Sequence, residues 1–290
     1  MTTEESLHRY RDAELWPGEE ALAAMLENQF GAFAAVREAI PAIAAAVTQA
    51  AARLGDAGRL IYAGAGASGR LAVQDGVELF PTFGWPRERL CYLLAGGVHA
   101  LTQSLEGAED DWDAGLADAT ACGPGPQDVA ITVAASGTTR YTRAVQSHVR
   151  AAGGLTIALA NTPDSALLLE AEHPIALATG AEFLAGSTRM TAGTAQKIAL
   201  NLFSTRLMTE LGRVYSGRMV RVVPSNAKLV ERSKRMIAEL TGASADRAAS
   251  VWAETGDIRL AVLMLDGHDR VVAEARLAAA AGNLRHARGG

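Results

Sequence analysis

At 290 residues the chain is long enough for one large domain, or one domain with a smaller appendage, built on a sizeable core. Hydrophobic residues make up 49%, charged residues 20% and aromatics 5%, an ordinary balance for a soluble α/β protein. A net charge of −5 without any Lys/Arg cluster argues against nucleic acid as a partner, and basic residues in a site must act locally. The N-terminus, Met1-Thr2-Thr3-Glu4-Glu5-Ser6, is polar and acidic, unlike a signal peptide. No apolar run is expected to approach the ~18 residues of a membrane span, so the expectation is a cytoplasmic protein with no membrane partner.

Residues 1–18 carry Tyr10, Trp16, Pro17 and many charges without clear periodicity and read as an arm. From Glu19 to Leu54 the text is Ala-rich, with Leu22, Met25, Leu26, Phe30, Phe33, Val36 and Ile40 at helical spacing; Pro41 predicts two helices or a kink. Strands are predicted at 59–63, 90–95, 128–134, 155–160 and 173–178, with helix-like segments between them. These are short continuous apolar runs rather than alternating ones, as expected for strands buried on both faces of a parallel sheet. Their alternation with helices implies a doubly wound α/β layer structure. One core helix is predicted over 191–212, closed by Gly212. After Pro224 the pattern turns helical at 226–241, 245–255, 257–265 and 268–281, a small helical subdomain with turns at 241–244 and 254–257. The two cysteines, Cys91 and Cys122, form no C-x-x-C pair and lie in or near strand-like segments, which reads as buried small hydrophobes in a reducing cytosol.

The most informative stretch is Arg59-Leu-Ile-Tyr-Ala-Gly-Ala-Gly-Ala-Ser-Gly-Arg70. A β-prone run breaks into Gly64, Gly66, Ser68 and Gly69 before a helical pattern, aiming backbone N–H groups and a hydroxyl at the positive end of a helix, where an anion is favoured. The spacing matches G-x-G-x-x-G. A dinucleotide site, however, wants an acidic residue at the end of the second strand, and Leu94-Ala95-Gly96-Gly97 offers none. A Walker loop fails because no Gly-Lys-Ser/Thr follows. The same device recurs at Ala135-Ser136-Gly137-Thr138-Thr139-Arg140, and a third cluster, Gly186-Ser187-Thr188-Arg189, precedes the long helix. Any one of these is a turn or a cap on its own; together, at the carboxyl ends of parallel strands, they suit a phosphate bearing a polyol.

These residues resemble the sugar isomerase (SIS) phosphosugar-binding domain and, more narrowly, the N-acetylmuramic acid 6-phosphate etherases and the related glucokinase regulatory proteins. The matching text is 58–71, Pro81-Thr82-Phe83-Gly84, Leu94-Ala95-Gly96-Gly97, Glu106-Gly107-Ala108-Glu109-Asp110, and Gly186 through Lys197. The resemblance covers roughly 40–235 and implies a flavodoxin-like three-layer fold with a doubly wound parallel sheet. It divides the chain into an arm and helix (1–40), an SIS domain (41–224) and a C-terminal helical subdomain (225–290). It also implies cleavage of the D-lactyl ether of a phosphosugar substrate by elimination and hydration, without metal or cofactor, in a homodimer. By that resemblance Glu78 is the acid for lactate departure and Glu109 the C2 base. The substrate-binding set is Gly66, Ala67, Ser68, Gly69, Glu106, Ser136, Gly137, Thr138, Thr139, Ser187, Thr188, Arg189 and Lys197. Arg70 is expected in a structural ion pair, and His99 is the histidine nearest the pocket. From the residues alone, Glu78 also reads as a helix-surface side chain and Glu109 as part of a solvated acidic run, Glu109-Asp110-Asp111. A non-catalytic phosphosugar regulator and an aldose–ketose isomerase are the alternative functions.

Overall fold

Each of the five apolar runs forms a strand: Leu60–Gly64 (β1), Leu90–Leu94 (β2), Val129–Ala134 (β3), Leu155–Ala160 (β4) and His173–Ala176 (β5). They are seen in a computed structural model that describes residues 3–105 and 107–290. All pair in parallel, in the order β2-β1-β3-β4-β5. Every residue of β1, β3 and β4 is buried, which explains the continuous apolar runs: helices cover both faces, so neither face selects polar residues. Gly64 stands opposite Leu94 on one side and Val133 on the other, so the carboxyl ends of β2, β1 and β3 finish level with one another. The chain steps outward to β2 from β1 and then crosses to β3, which makes the β1/β3 boundary the switch point where such sheets bind ligands.

One face is covered by Trp112–Cys122 (α4) and Arg140–Ala151 (α5), which bury Ala119, Tyr141, Val145 and Val149 against Ile61, Ala63, Leu93 and Ala130. Tyr62, pointing to the opposite face of β1, meets the helix Gly66–Val77 (α2). The first helix, Gly18–Leu54 (α1), packs on β3, β4 and β5 and buries Ala32, Val36, Ala39, Ile43, Val47 and Leu54 at helical spacing. It runs unbroken through Pro41 instead of dividing there. A proline inside a helix forfeits one backbone bond and costs about 3 kcal/mol; the buried residues on both sides of it, Ala39 and Ile43, outweigh that. The same helix corrects a second expectation. By length and composition its most apolar 18-residue window, with mean hydropathy 1.5, is sufficient to cross a membrane; 39% of that window is buried. Within the arm, Tyr10 and Ala13 are buried with Ala24 and Phe183.

The chain divides into two compact units. The first comprises 1–76 and 88–204; the second comprises 77–87 and 205–290. The second unit contains the short helix Leu79–Phe83 (α3), and Thr191–Glu210 (α7) runs from the first unit into it. The carboxyl end of α7 is closed by Gly212 at φ +67°, as the sequence predicts. Between β4 and β5 lies Ala166–Glu170 (α6). Four expected helices follow in the second unit: Ala227–Thr241 (α8), Ala245–Thr255 (α9), Ile258–Leu265 (α10) and Arg270–Ala279 (α11). A fifth, Leu284–Ala287 (α12), had no separate sequence signal. All five start at a side chain that accepts a backbone N–H, in order Asn226, Ser244, Asp257, Asp269 and Asn283. Their apolar faces bury Met236, Ile237, Val251, Ile258, Val262 and Leu284 in a common core.

Candidate functional site

The glycine loop is first a packing device. Cβ atoms added at Gly69 would lie 2.7 Å from the carbonyl carbon of Gly64, and at Gly64 would lie 2.8 Å from Gly69 Cα. Only residues without side chains let α2 cross the end of β1 this closely. Gly66 meets the need for positive φ, at +52°, and is itself exposed. Close backbone approach thus accounts for the G-x-G-x-x-G spacing without a dinucleotide.

Beside this loop lies a cleft of about 360 Å³, lined among others by Gly66, Arg70, Ala95, Ala100, Ser104 and Glu109. That volume is within the range of small-ligand sites. Two of its walls come from the loops after β1 and β2, which end at the same sheet edge. Arg70 braces the second loop: its Nε donates to the Ala100 carbonyl (2.8 Å) and its Nη2 to that of Gln103 (2.9 Å). Among the described residues Arg70 has no carboxylate partner, so the expected ion pair is replaced by bonds to two carbonyls. Glu109 sits in a single 3₁₀ turn, Ala108–Asp110, entered through Gly107 at φ +76°. The acidic run divides its labour, because Asp111 caps α4 by accepting the Ala114 N–H (2.9 Å) while Glu109 faces the cleft. Glu106 lies outside the described residues. His99 is exposed in the turn Gly97–Leu101, next to the lining residue Ala100.

The remaining predicted binders spread along the same edge. Ala67 and Arg189 line a second cleft of about 440 Å³ with Arg70, Gln74 and Leu101, so Arg70 borders both clefts. Ser68 and Gly69 are buried in the first turns of α2. Ser136 to Thr139 follow β3; Ser136 Oγ lies 3.0 Å from Thr138 Oγ1 and accepts the Thr138 N–H, and Gly137 takes φ +69°. Ser187 and Thr188 form tight turns before α7, whose first amides are already occupied. Thr191 and Ala192 both donate to the buried carboxylate of Glu182, at 2.8 Å each. Thr191 Oγ1 also donates to Asn28 (2.6 Å). An anion at the 186–189 cluster would therefore be held by side chains rather than by these helix amides. Glu78, exposed, follows directly on α2 and opens the 79–83 helix of the second unit. That segment is fixed within its own unit: Arg213 donates to the carbonyls of Phe83 (3.0 Å) and Gly84 (2.7 Å), and Val223 N–H donates to Pro81.

The profile of the glucokinase regulatory protein N-terminal SIS domain matches residues 42–149, and that of the SIS domain matches 117–206. The chain is 46% identical over 289 residues to the N-acetylmuramic acid 6-phosphate etherase of Deinococcus radiodurans, covering 99% of this chain and 95% of that protein. The chain belongs to the N-acetylmuramic acid 6-phosphate etherase family. It is also 44% identical to the etherase of Streptomyces coelicolor, over 88% of this chain and 82% of that one. A third relative, from Serratia proteamaculans, is 44% identical over 87% of this chain and 86% of its own length. In this etherase-family chain the match extends through the C-terminal helices, beyond the last residue either profile reaches.

Two buried carboxylates of this etherase-family protein escaped the sequence reading. Glu182 caps α7, and only its distance from a helix start hid it. Asp75 falls on the inner face of α2 with Ser68 and Ala72 and is buried. It accepts the Tyr62 hydroxyl (3.0 Å), Asn201 Nδ2 (2.8 Å) and Ser204 Oγ (3.0 Å), tying α2 to β1 and α7. Burial raises its pKa, opposed by those three donors and by the Lys197 charge; Lys197, Asn201 and Ser204 recur at helical spacing on α7. Asp75→Ala strands three donors, one of them the buried Tyr62 hydroxyl, and is expected to cost about 2–3 kcal/mol in urea unfolding. Asp75→Asn, which keeps the shape and one acceptor oxygen, should lose less; an unchanged midpoint for the alanine variant would show that the network is not stabilising. Among the described residues no group of three or more His, Cys, Asp and Glu side chains is arranged to hold a metal ion.

Proposed function

We propose that this protein cleaves the D-lactyl ether of N-acetylmuramic acid 6-phosphate, giving N-acetylglucosamine 6-phosphate and D-lactate. Full-length likeness to named etherases supports this reading. The observation that carries it within the fold is Glu109, held in a cleft whose other wall is the glycine loop. The sugar opens to its aldehyde, and the Glu109 carboxylate removes the C2 proton made acidic by that carbonyl. Glu78 protonates the departing C3 ether oxygen, and the C3–O bond breaks to release D-lactate. Water then adds at C3 of the unsaturated aldehyde, restoring the sugar. Two carboxyl groups, one ionised and one protonated, are what such an elimination needs. Backbone amides at Gly66 to Gly69, the hydroxyls of Ser136, Thr138, Thr139, Ser187 and Thr188, and the cations of Arg189 and Lys197 are the proposed partners of the phosphate and the sugar hydroxyls, and Glu106 is a further proposed binder. The deciding assay is D-lactate release from N-acetylmuramic acid 6-phosphate. Hexose-phosphate binding without lactate would instead favour a phosphosugar regulator.

The protein is proposed to act in the cytoplasm as a homodimer through α1. Leu22, Leu26, Phe30, Phe33 and Ile40 are each half or more exposed on that helix. At 100° per residue they fall within an arc of about 80°, an apolar stripe that exposed Arg37 interrupts between Phe33 and Ile40. A second copy of the chain suits a stripe of this length better than solvent does. Light scattering is expected to give twice the 30.3 kDa chain mass, and Phe30→Asp with Phe33→Asp the mass of one chain. A wild-type protein that stays monomeric at micromolar concentration would overturn the dimer.

A further inference from the structure

The chain has two cysteines, and the fold brings them together although they are 31 positions apart. Cys91 lies in β2 and Cys122 is the last residue of α4; their Sγ atoms are 2.7 Å apart, against the ~2.05 Å of a covalent disulfide. Both are half-buried rather than sealed in the core as their sequence context implies, and both pack at the margin of the cluster that contains Ile61, Leu93 and Ala119. The Arg59 guanidinium is fixed next to the pair, donating from Nη1 to the Cys122 carbonyl (3.0 Å) and from Nη2 to that of Gly123 (2.8 Å) and to Asp128.

We propose that Cys91 and Cys122 form an oxidant-addressed thiol pair that closes to an intramolecular disulfide when a peroxide reaches it. The two sulfurs are not equivalent. The close contact with Cys91, and then the Arg59 charge, pull Cys122 down to about 7 against its burial, whereas Cys91 is pushed up. With the Arg59 guanidinium fixed at its own carbonyl and that of Gly123, Cys122 is assigned as the attacking thiolate. Its sulfur takes one oxygen from hydrogen peroxide, breaking the O–O bond and releasing hydroxide, and becomes a sulfenic acid. The Cys91 sulfur then attacks that sulfur; the S–OH bond breaks, and the Cys91 proton leaves with the hydroxyl as water. Two thiols lose two electrons in all, and one peroxide becomes two waters. The new bond closes the segment 91–122, which contains Ala95, Ala100, Ser104 and Glu109 of the cleft. Oxidation thus pins both ends of the segment that forms one cleft wall. The pair stands independently of the ether chemistry.

The test treats the full-length protein with one equivalent of hydrogen peroxide and reads intact mass after denaturing alkylation. The expected product is a monomeric chain 2 Da lighter with no alkylatable thiol, restored to two thiols by dithiothreitol. Closing a loop of about 30 residues should also raise Tm by roughly 5 °C, reversed by the same reductant. Cys91→Ser should stop at a sulfenic acid on Cys122, trapped by dimedone. A wild-type chain that keeps both thiols, gains 16 or 32 Da, or cross-links to a second chain would overturn the proposal, whether or not the serine variant folds.

Discussion

Glu109→Gln is expected to lower kcat for D-lactate release by roughly 100- to 10,000-fold, the range for losing a positioned acid or base. The amide has the carboxylate's shape but cannot take a proton, and because Glu109 is exposed at the cleft the fold should tolerate it. Binding of N-acetylglucosamine 6-phosphate, measured by calorimetry, should change little. Glu78→Gln should lose lactate release to a comparable degree for a different reason. With Glu109 intact, C2 deprotonation persists, so deuterium should wash into C2 of the substrate in D₂O while no lactate appears. Glu109→Gln should lose both the exchange and the lactate. Wash-in lost with Glu78 and kept with Glu109 would reverse the two roles, and equal loss of phosphosugar binding in both variants would reduce them to binding groups.

Gly69→Ala is expected to cost about 3 kcal/mol of stability, the upper part of the range for overpacking. The new methyl would meet the Gly64 carbonyl carbon at 2.7 Å and its oxygen at 2.8 Å, backbone atoms of β1 that cannot turn aside. Either α2 lifts from the sheet or β1 shifts, and both move the cleft wall. Gly66→Ala is the control. Nothing lies within 4 Å of its added methyl, so it carries only the left-handed backbone penalty of φ +52°, about 1–2 kcal/mol. Urea midpoints read the difference directly. Equal midpoints for the two variants would show that the close crossing of α2 over β1 does not constrain the loop.

β1, β3 and β4 were legible because burial on both faces leaves an unbroken apolar run; β2 and β5 are only partly buried, yet all five strands lie within two residues of their predicted ends. The glycine loop was legible for the same kind of local reason, since its spacing is dictated by one turn and one crossing. Pro41 misled because propensity is a local cost, whereas the burial that overrides it comes from strands more than eighty residues away. The cysteine pair and Asp75 with its three donors are meetings between separate segments, and Glu182 reaches the start of α7 from outside the first turn; no local pattern announces them. The split of the acidic run is the subtlest case. Its three members look alike in sequence, and only the turn at Gly107 sends Glu109 into the cleft while Asp111 caps a helix.

The most direct measurement is incubation of the purified protein with N-acetylmuramic acid 6-phosphate, following D-lactate enzymatically and the sugar product by mass. Equimolar D-lactate and N-acetylglucosamine 6-phosphate, both abolished by Glu109→Gln, is the predicted result. Intact substrate after prolonged incubation with a protein that still binds hexose phosphates would contradict it.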